Sequence, residues 1–144
     1  MKIQVLAIGK PKLPYAAAGI EEYDRRLQRY ASVTLEYLRA RDESPSLLAR
    51  SRESYRIALD ERGCQLDTIS FSERITQLEN RPQLKKVAFL IGGADGHPPE
   101  LRERCDEIWS LSRLTMQHEL ALVVLLEQLY RVFTIKRGEP YHRE

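Results

Sequence analysis

Near its end the chain carries Tyr141, His142 and Arg143 side by side, where most domains fray into small polar residues. An imidazole exchanges protons near neutral pH, a guanidinium holds a developing negative charge, and a phenol ring stacks on planar ligands. The ordinary alternative has Arg143 paired with an acid, Tyr141 packed on a neighbour and His142 exposed. Three other segments could do chemistry, each following an apolar run. "GGADGHPP" (92–99) is a glycine-rich turn through which backbone can approach a ligand closely. It lacks the lysine and hydroxyl of a phosphate loop and the G-x-G-x-x-G spacing of a dinucleotide site, and a plain tight turn fits it as well. "SLSRLTMQH" (110–118) offers backbone donors and acceptors for an adenine edge, with Leu111, Leu114 and Met116 to cover the ring faces. His118 in that segment reads by default as a helix-cap histidine. "ALDERG" (58–63) sets Asp60 and Glu61 at a strand end, where carboxylates more often form turns than act as acids or bases.

Each segment needs a scaffold to aim it. The alternation of apolar and amphipathic stretches predicts strands at 2–9, 33–39, 55–60, 85–93 and 107–112. Between them it predicts helices at 15–30, within 42–54, at 70–80, from 98 to about 105, and at 118–137. The run Val87–Ile91 is continuously apolar, as in a parallel strand covered on both faces. Ser70 and Glu73 have the spacing of a capping box, and "ERG" reads as a turn that closes the third strand. The last helix is apolar almost all round over 120–126, with a narrow polar stripe at Glu127, Arg131 and Thr134. One subunit's sheet cannot cover every side of such a helix, so self-association is expected. The pattern as a whole predicts a single three-layer α/β domain over residues 1–144 with a mainly parallel sheet. Ligands of such sheets sit beyond the carboxyl ends of the strands, where the three loops fall.

Composition narrows the classes. A chain of 144 residues with 42% hydrophobic content supports one modest core. The apolar opening "IQVLAI" is too short for the core of a secretory leader, and the longest apolar run, "LALVVLL", falls far short of the roughly 20 residues of a membrane span. Cys64 and Cys105 have no metal-ligand spacing, so no metal is expected and a reducing cytoplasm suits them. Residues 1–41 hold 8 Lys/Arg against 4 Asp/Glu, residues 42–130 hold 11 against 15, and residues 131–144 hold 4 against 2. If the basic ends meet in space they form a positive surface of the kind that binds phosphate backbones, although solvated faces would look the same in sequence.

Taken in order, "IQVLAIGK", "EEYDRRL", "FLIGGADG", "SLSRLTMQH", "LLEQLYR" and "PYHRE" resemble the bacterial ribosomal large subunit methyltransferase H family of the SPOUT class, from Lys2 to Glu144. The resemblance implies a cytoplasmic homodimer with a trefoil knot in its C-terminal part. It also implies S-adenosylmethionine as cofactor and methylation of N3 of a pseudouridine in large-subunit (23S) rRNA, on assembled ribosomes. Carried over by motif, the cofactor residues would be Leu59, Gly92, Gly93, Leu111, Ser112, Arg113, Leu114, Thr115 and Met116. His142 and Arg143 would accept the N3 proton or stabilise the imidate, and Tyr141 would stack on or hydrogen-bond to the base. Arg25, Arg26 and Arg29, on one helical face, and His118 are the expected RNA contacts. Two positions depart from the family pattern: Leu122 stands where an arginine is usual, and Gln117 where a proline is. Leu122 favours a rival reading, a non-catalytic ribosome-binding protein that kept the fold. A generic nucleotide-binding regulatory domain is a third reading, and the chain lacks its phosphate motifs.

Overall fold

The computed structural model describes residues 1–39, 41 and 43–143. Asp42, the first residue of the segment 42–54 in which a helix is expected, and the terminal Glu144 of the family resemblance lie outside the described residues. The elements run β1 (Lys2–Ile8), α1 (Pro14–Leu27), β2 (Val33–Leu38), α2 (Glu43–Arg50), β3 (Tyr55–Gln65), α3 (Thr68–Glu79), β4 (Lys86–Ile91), α4 (Pro99–Arg102), β5 (Glu107–Ser110) and α5 (His118–Lys136). The strands form one sheet in the order β2-β1-β4-β3-β5, with every neighbouring pair parallel. All five carboxyl ends therefore share one edge.

Side-chain alternation builds a core on each face of that sheet. Ile3, Val5 and Ala7 of β1 point to the larger core, with Phe71, Ile75 and Leu78 of α3 and six buried apolar residues of α5 between Leu122 and Phe133. Leu6 and Ile8 point the other way, to Leu47 of α2 and Leu101 of α4. The larger core centres on Trp109, whose ring meets Phe71 edge-on at 5.0 Å and Phe89 at 5.7 Å. The third layer thus consists of two short helices.

Local chemistry differs from the sequence reading at several places. The chain does not turn away at "ERG". Leu59 and Cys64 both register on Trp109, so residues 60–63 loop out and β3 then resumes along β5. Gly63 permits this because a Cβ there would lie 2.5 Å from the Ile108 carbonyl oxygen. Helix α3 begins two residues before the expected start, since Asp67 rather than Ser70 caps it, accepting the Ser70 N–H at 2.8 Å. The cap of α5 is Gln117, whose side chain accepts the N–H groups of Glu119 and Leu120, and His118 is the first helical residue. α2 and α4 are shorter than the segments expected at 42–54 and 98–105. Most of α5 is covered within one chain by α1, α3 and the sheet, which leaves Leu120 as its exposed apolar residue at 37% exposure.

The end of α5 decides where the tail goes. Gly138 adopts φ +69°, the Gly138 N–H bonds to the Ile135 carbonyl, and the Glu139 N–H bonds to that of Thr134. This paired cap reverses the chain and lays residues 139–143 back along the helix.

Candidate functional site

At the loop-out of β3 and beyond the carboxyl ends of β4 and β5, three segments close around a cavity of about 190 Å³. Leu59, Gly92, Gly93, Leu111, Ser112, Leu114, Thr115 and Met116 all line it, and so does His118. Arg113 turns away and donates from Nε to Gln65 Oε1 at 2.9 Å. Sequence reading missed Ala94, Asp95 and Ala121 as lining residues and took Asp60 and Glu61 for turn formers. Asp60 does form its turn, accepting the Arg62 N–H at 2.9 Å, but the loop-out of β3 also makes it part of the wall. No periodicity signals a strand that leaves and rejoins its neighbour.

The hydroxyls of the 110–118 segment fix the loop's own shape. Ser110 Oγ donates to the Ser112 carbonyl at 2.8 Å, Ser112 Oγ accepts the Leu114 N–H at 2.9 Å, and Thr115 Oγ1 donates to Glu61 Oε2 at 2.5 Å. The apolar walls come from Leu59, Ile91, Leu111, Leu114 and Met116, and Leu114 is 77% exposed at the mouth. Asp60, Glu61 and Asp95 line the space against one arginine, Arg62. Carboxylates in that number favour a ligand carrying positive charge over a polyphosphate.

A second contact draws the β1–α1 loop to the same edge. Glu119, in the first turn of α5, accepts the N–H groups of Lys12 and Leu13 at 2.8 and 3.0 Å from one oxygen. The Leu13 amide is the main cause of a pKa below the usual carboxylate range. Sequence gave no sign of this clamp, which spans most of the chain.

The tail residues lie elsewhere. None of Tyr141, His142 and Arg143 lines the cavity within its own chain. Tyr141 donates to Glu127 Oε1 at 3.1 Å, its ring lies under Arg131 at 4.7 Å, and it meets Tyr130 edge-on at 4.7 Å. Burial, with hydrogen bonds to Tyr23 and Glu127, raises its pKa well above the usual tyrosine range. Arg131 Nη1 is 3.1 Å from His142 Nδ1. A guanidinium can only donate, so Nδ1 accepts and the ring proton sits on Nε2. The stripe of Glu127 and Arg131 is therefore the tail's seat, while Thr134 is fully buried and bonds to the Arg131 carbonyl. Glu127 lies about 13 Å along the helix from His118.

The basic ends do meet, through α1 packed on α5. Arg26 stacks over Tyr23 and Tyr130, and Arg137 over Tyr30. Tyr30 donates to Glu139 at 2.6 Å, a bond that helps push its pKa up to about 12. Arg25 and Arg26 both engage Glu22, whose pKa is lowered chiefly by Arg26, and Arg29 is exposed. The helix expected over 15–30 ends at Leu27, so Arg25 and Arg26 sit in its last turn and Arg29 in the turn beyond it, and the three do not share one helical face. Leu122 is 2% exposed in the larger core, where an arginine would lose its solvation. Among the described residues no group of His, Cys, Asp or Glu could hold a metal ion, and no helix is long and apolar enough to cross a membrane.

With this geometry in hand, known proteins give a consistent answer. The family model described as "Predicted SPOUT methyltransferase" matches residues 1–142. The chain is 48% identical over 143 residues to the ribosomal RNA large subunit methyltransferase H of Thermus thermophilus, covering 99% of each. It is 41% identical over 146 residues to that of Deinococcus radiodurans, again covering 99% of each. Among solved structures, a probable methyltransferase from Bordetella pertussis superposes with a TM-score of 0.62 at 12% identity, over 92% of this chain and 94% of that one. A probable methylase family protein from Haemophilus influenzae gives the same TM-score at 10% identity, over 99% and 70%. At those identities the two structures speak for the fold alone. The chain belongs to the SPOUT methyltransferases and, within them, to the ribosomal RNA large subunit methyltransferase H family.

Proposed function

We propose that this chain methylates N3 of a pseudouridine in large-subunit ribosomal RNA, using S-adenosylmethionine, on assembled ribosomal subunits in the cytoplasm. The observation that carries the reading is the convergence of the β3 loop-out and the loops after β4 and β5 on one cavity. Its residues suit the cofactor: apolar walls for an adenosine, loop backbone for its polar edges, and carboxylates near a sulfonium. Leu59, Gly92, Gly93, Leu111, Ser112, Leu114, Thr115 and Met116 would hold it. When bound, the sulfonium supplies an electrophilic methyl carbon.

The chain's own work is to bring the N3 nitrogen into line, exclude water and manage the N3 proton. Once the tail leaves its seat, His142 would accept the N3 proton at Nδ1, the atom that Arg131 engages here, and Arg143 would stabilise the imidate as it forms. Tyr141 already has its ring and hydroxyl engaged by Arg131 and Glu127, so it anchors the tail, and stacking on a base would require Arg131 to move.

The reading includes a homodimer in which the tail of one subunit completes the cavity of the other. That residues 141–143 are seated away from the cavity of their own chain supports it, as do the exposed Leu114 and Leu120. The single domain over 1–144 and its C-terminal knot belong to the same proposal. The bonds from Arg113 and Thr115 back to Gln65 and Glu61 support a chain that re-enters the β3 loop-out. Arg29, with Arg25 and Arg26 once freed from Glu22, would grip phosphates from the partner's side.

Mass mapping of rRNA from cells with and without the protein tests the reaction: loss of one methyl group on a pseudouridine is expected, and an unchanged map overturns it. A mixed dimer with a defective tail on one subunit and a defective cavity on the other should retain one working site in two if the tail acts across the dimer. The non-catalytic rival rested on Leu122, which is a core packing residue here. Micromolar binding of S-adenosylmethionine in calorimetry is expected, and its absence would favour the rival.

A further inference from the structure

We infer that Glu43, His97 and Arg102 are positioning residues that lock the Gly92–Gly96 turn, from outside the cavity, in the shape that receives the cofactor. The inference rests on the cofactor reading above. None of the three lines the cavity, and each holds its wall from behind. Glu43, in the first turn of α2, belongs to the opposite sheet face, yet its Oε1 accepts the Gly93 N–H at 2.7 Å. A carboxylate on an amide is a charge-assisted bond and among the stronger ones a loop can make.

His97 closes the other end of the turn. Its side chain bonds through Nε2 to the Leu90 carbonyl at 2.8 Å, in a residue only 2% exposed. A carbonyl only accepts, so Nε2 carries the ring proton and Nδ1 is bare. Nδ1 has no hydrogen-bond partner among the described residues, and a Cβ on Gly92 would lie 3.2 Å from it, so the ring backs directly onto the cavity wall. Burial lowers the His97 pKa, which keeps the ring in this neutral form.

Arg102, in α4, ties the turn to the loop-out of β3. Its Nη1 donates to the His97 carbonyl at 2.6 Å and stands 3.7 Å from Asp60 Oδ2. Within the turn the Gly96 N–H reaches the Gly93 carbonyl at 3.1 Å. A loop held from three elements pays little ordering entropy when a ligand arrives, and affinity rises accordingly.

The test measures S-adenosylmethionine binding by calorimetry on the full chain, together with turnover on ribosomal subunits and the melting temperature. Glu43→Ala and His97→Leu should each weaken binding about tenfold, as expected for one lost hydrogen bond, with turnover at saturating cofactor little changed. Glu43→Gln keeps a carbonyl oxygen and His97→Gln an amide donor, and each should recover most of the affinity. Unchanged affinity in folded Glu43→Ala and His97→Leu overturns the inference, as do glutamine variants that bind as weakly as the alanine and leucine ones. If His97→Leu does not fold, the Glu43 pair decides, because Glu43 is a half-exposed residue of a surface helix. No binding by the unaltered protein would instead overturn the cofactor reading and this inference with it.

Discussion

Around the cavity, the braces of the glycine-rich turn and of the β1–α1 loop end on backbone: Glu43 on Gly93, His97 on Leu90, Arg102 on His97, Glu119 on Lys12 and Leu13, while the 110–118 segment adds side-chain pairs to Gln65 and Glu61. Along the second half of α5, the tail is held by side chain against side chain, Tyr141 on Glu127 and Arg131 on Tyr141 and His142. The difference bears on what each region can do. Bonds to backbone fix a loop's path whatever lies outside it, so the cavity keeps its shape through a catalytic cycle. Ring stacking and guanidinium contacts can be exchanged for similar contacts with a nucleobase or phosphate, so the tail can pass from its seat to a substrate at small net change. Under the proposed function, a preformed cavity and an exchangeable tail would suit a small enzyme whose substrate is far larger than itself.

The largest expected effect breaks the comparison on the tail side. His142→Ala should lower turnover by about 10²–10⁴-fold, the range for a lost proton-transfer or charge-stabilising group, and leave cofactor affinity unchanged in calorimetry. Unchanged turnover would remove the tail from the chemistry. On the cavity side, Trp109→Ala should cost about 3–5 kcal/mol in denaturant unfolding, since that ring fills the core beneath the loops. Gly92→Ala should cost about 1–3 kcal/mol of cofactor binding as the turn shifts, because the new Cβ would sit 2.9 Å from the Gly96 carbonyl carbon.

Acid sharpens the comparison further. Glu119 has its pKa lowered from an ordinary 4.5 by the Leu13 and Lys12 amides, so its contribution is complete above about pH 4.5 and is lost as pH falls through the lower folded-state value. Glu119→Gln should therefore flatten the fall of melting temperature below pH 4.5, and an unaltered profile would show that the clamp adds nothing. Arg29→Ala has the smallest expected effect: RNA affinity falls evenly across sequences, and the slope of log affinity against log salt shrinks by about 1.

Much of the scaffold can be read from apolar periodicity. Among the described residues every expected strand and helix is present, although β3 runs on past residue 60 and α2 and α4 are shorter than expected, because burial on two sheet faces demands continuous runs in β4 and alternation or helical spacing elsewhere. The cavity loops could be read as strand ends, but their braces could not. Glu43 is far in the chain from His97 and Arg102, and none of the three carries a local signal, since what unites them is a turn they touch from behind. "DERG" looks like a turn because Asp and Gly favour one, and only the pairing of Leu59 and Cys64 on the same Trp109 turns it into a loop-out. The capping box at Ser70 failed because Asp67 has equal capping chemistry and lies three residues earlier. Glu127 and Arg131 looked like a solvent stripe until the reversal at Gly138 gave them a partner from the same chain.

The sheet order carries a consequence for biogenesis. β1 lies between β2 and β4, and Lys2 registers on Lys86, so during synthesis β1 lacks its inner neighbour until β4 has also been made. Such distant pairing belongs to the slow regime of folding. A nascent chain halted before β4 holds a two-stranded parallel ribbon with an open apolar edge, and chaperone capture at that length is the expected signature in ribosome-stalling experiments.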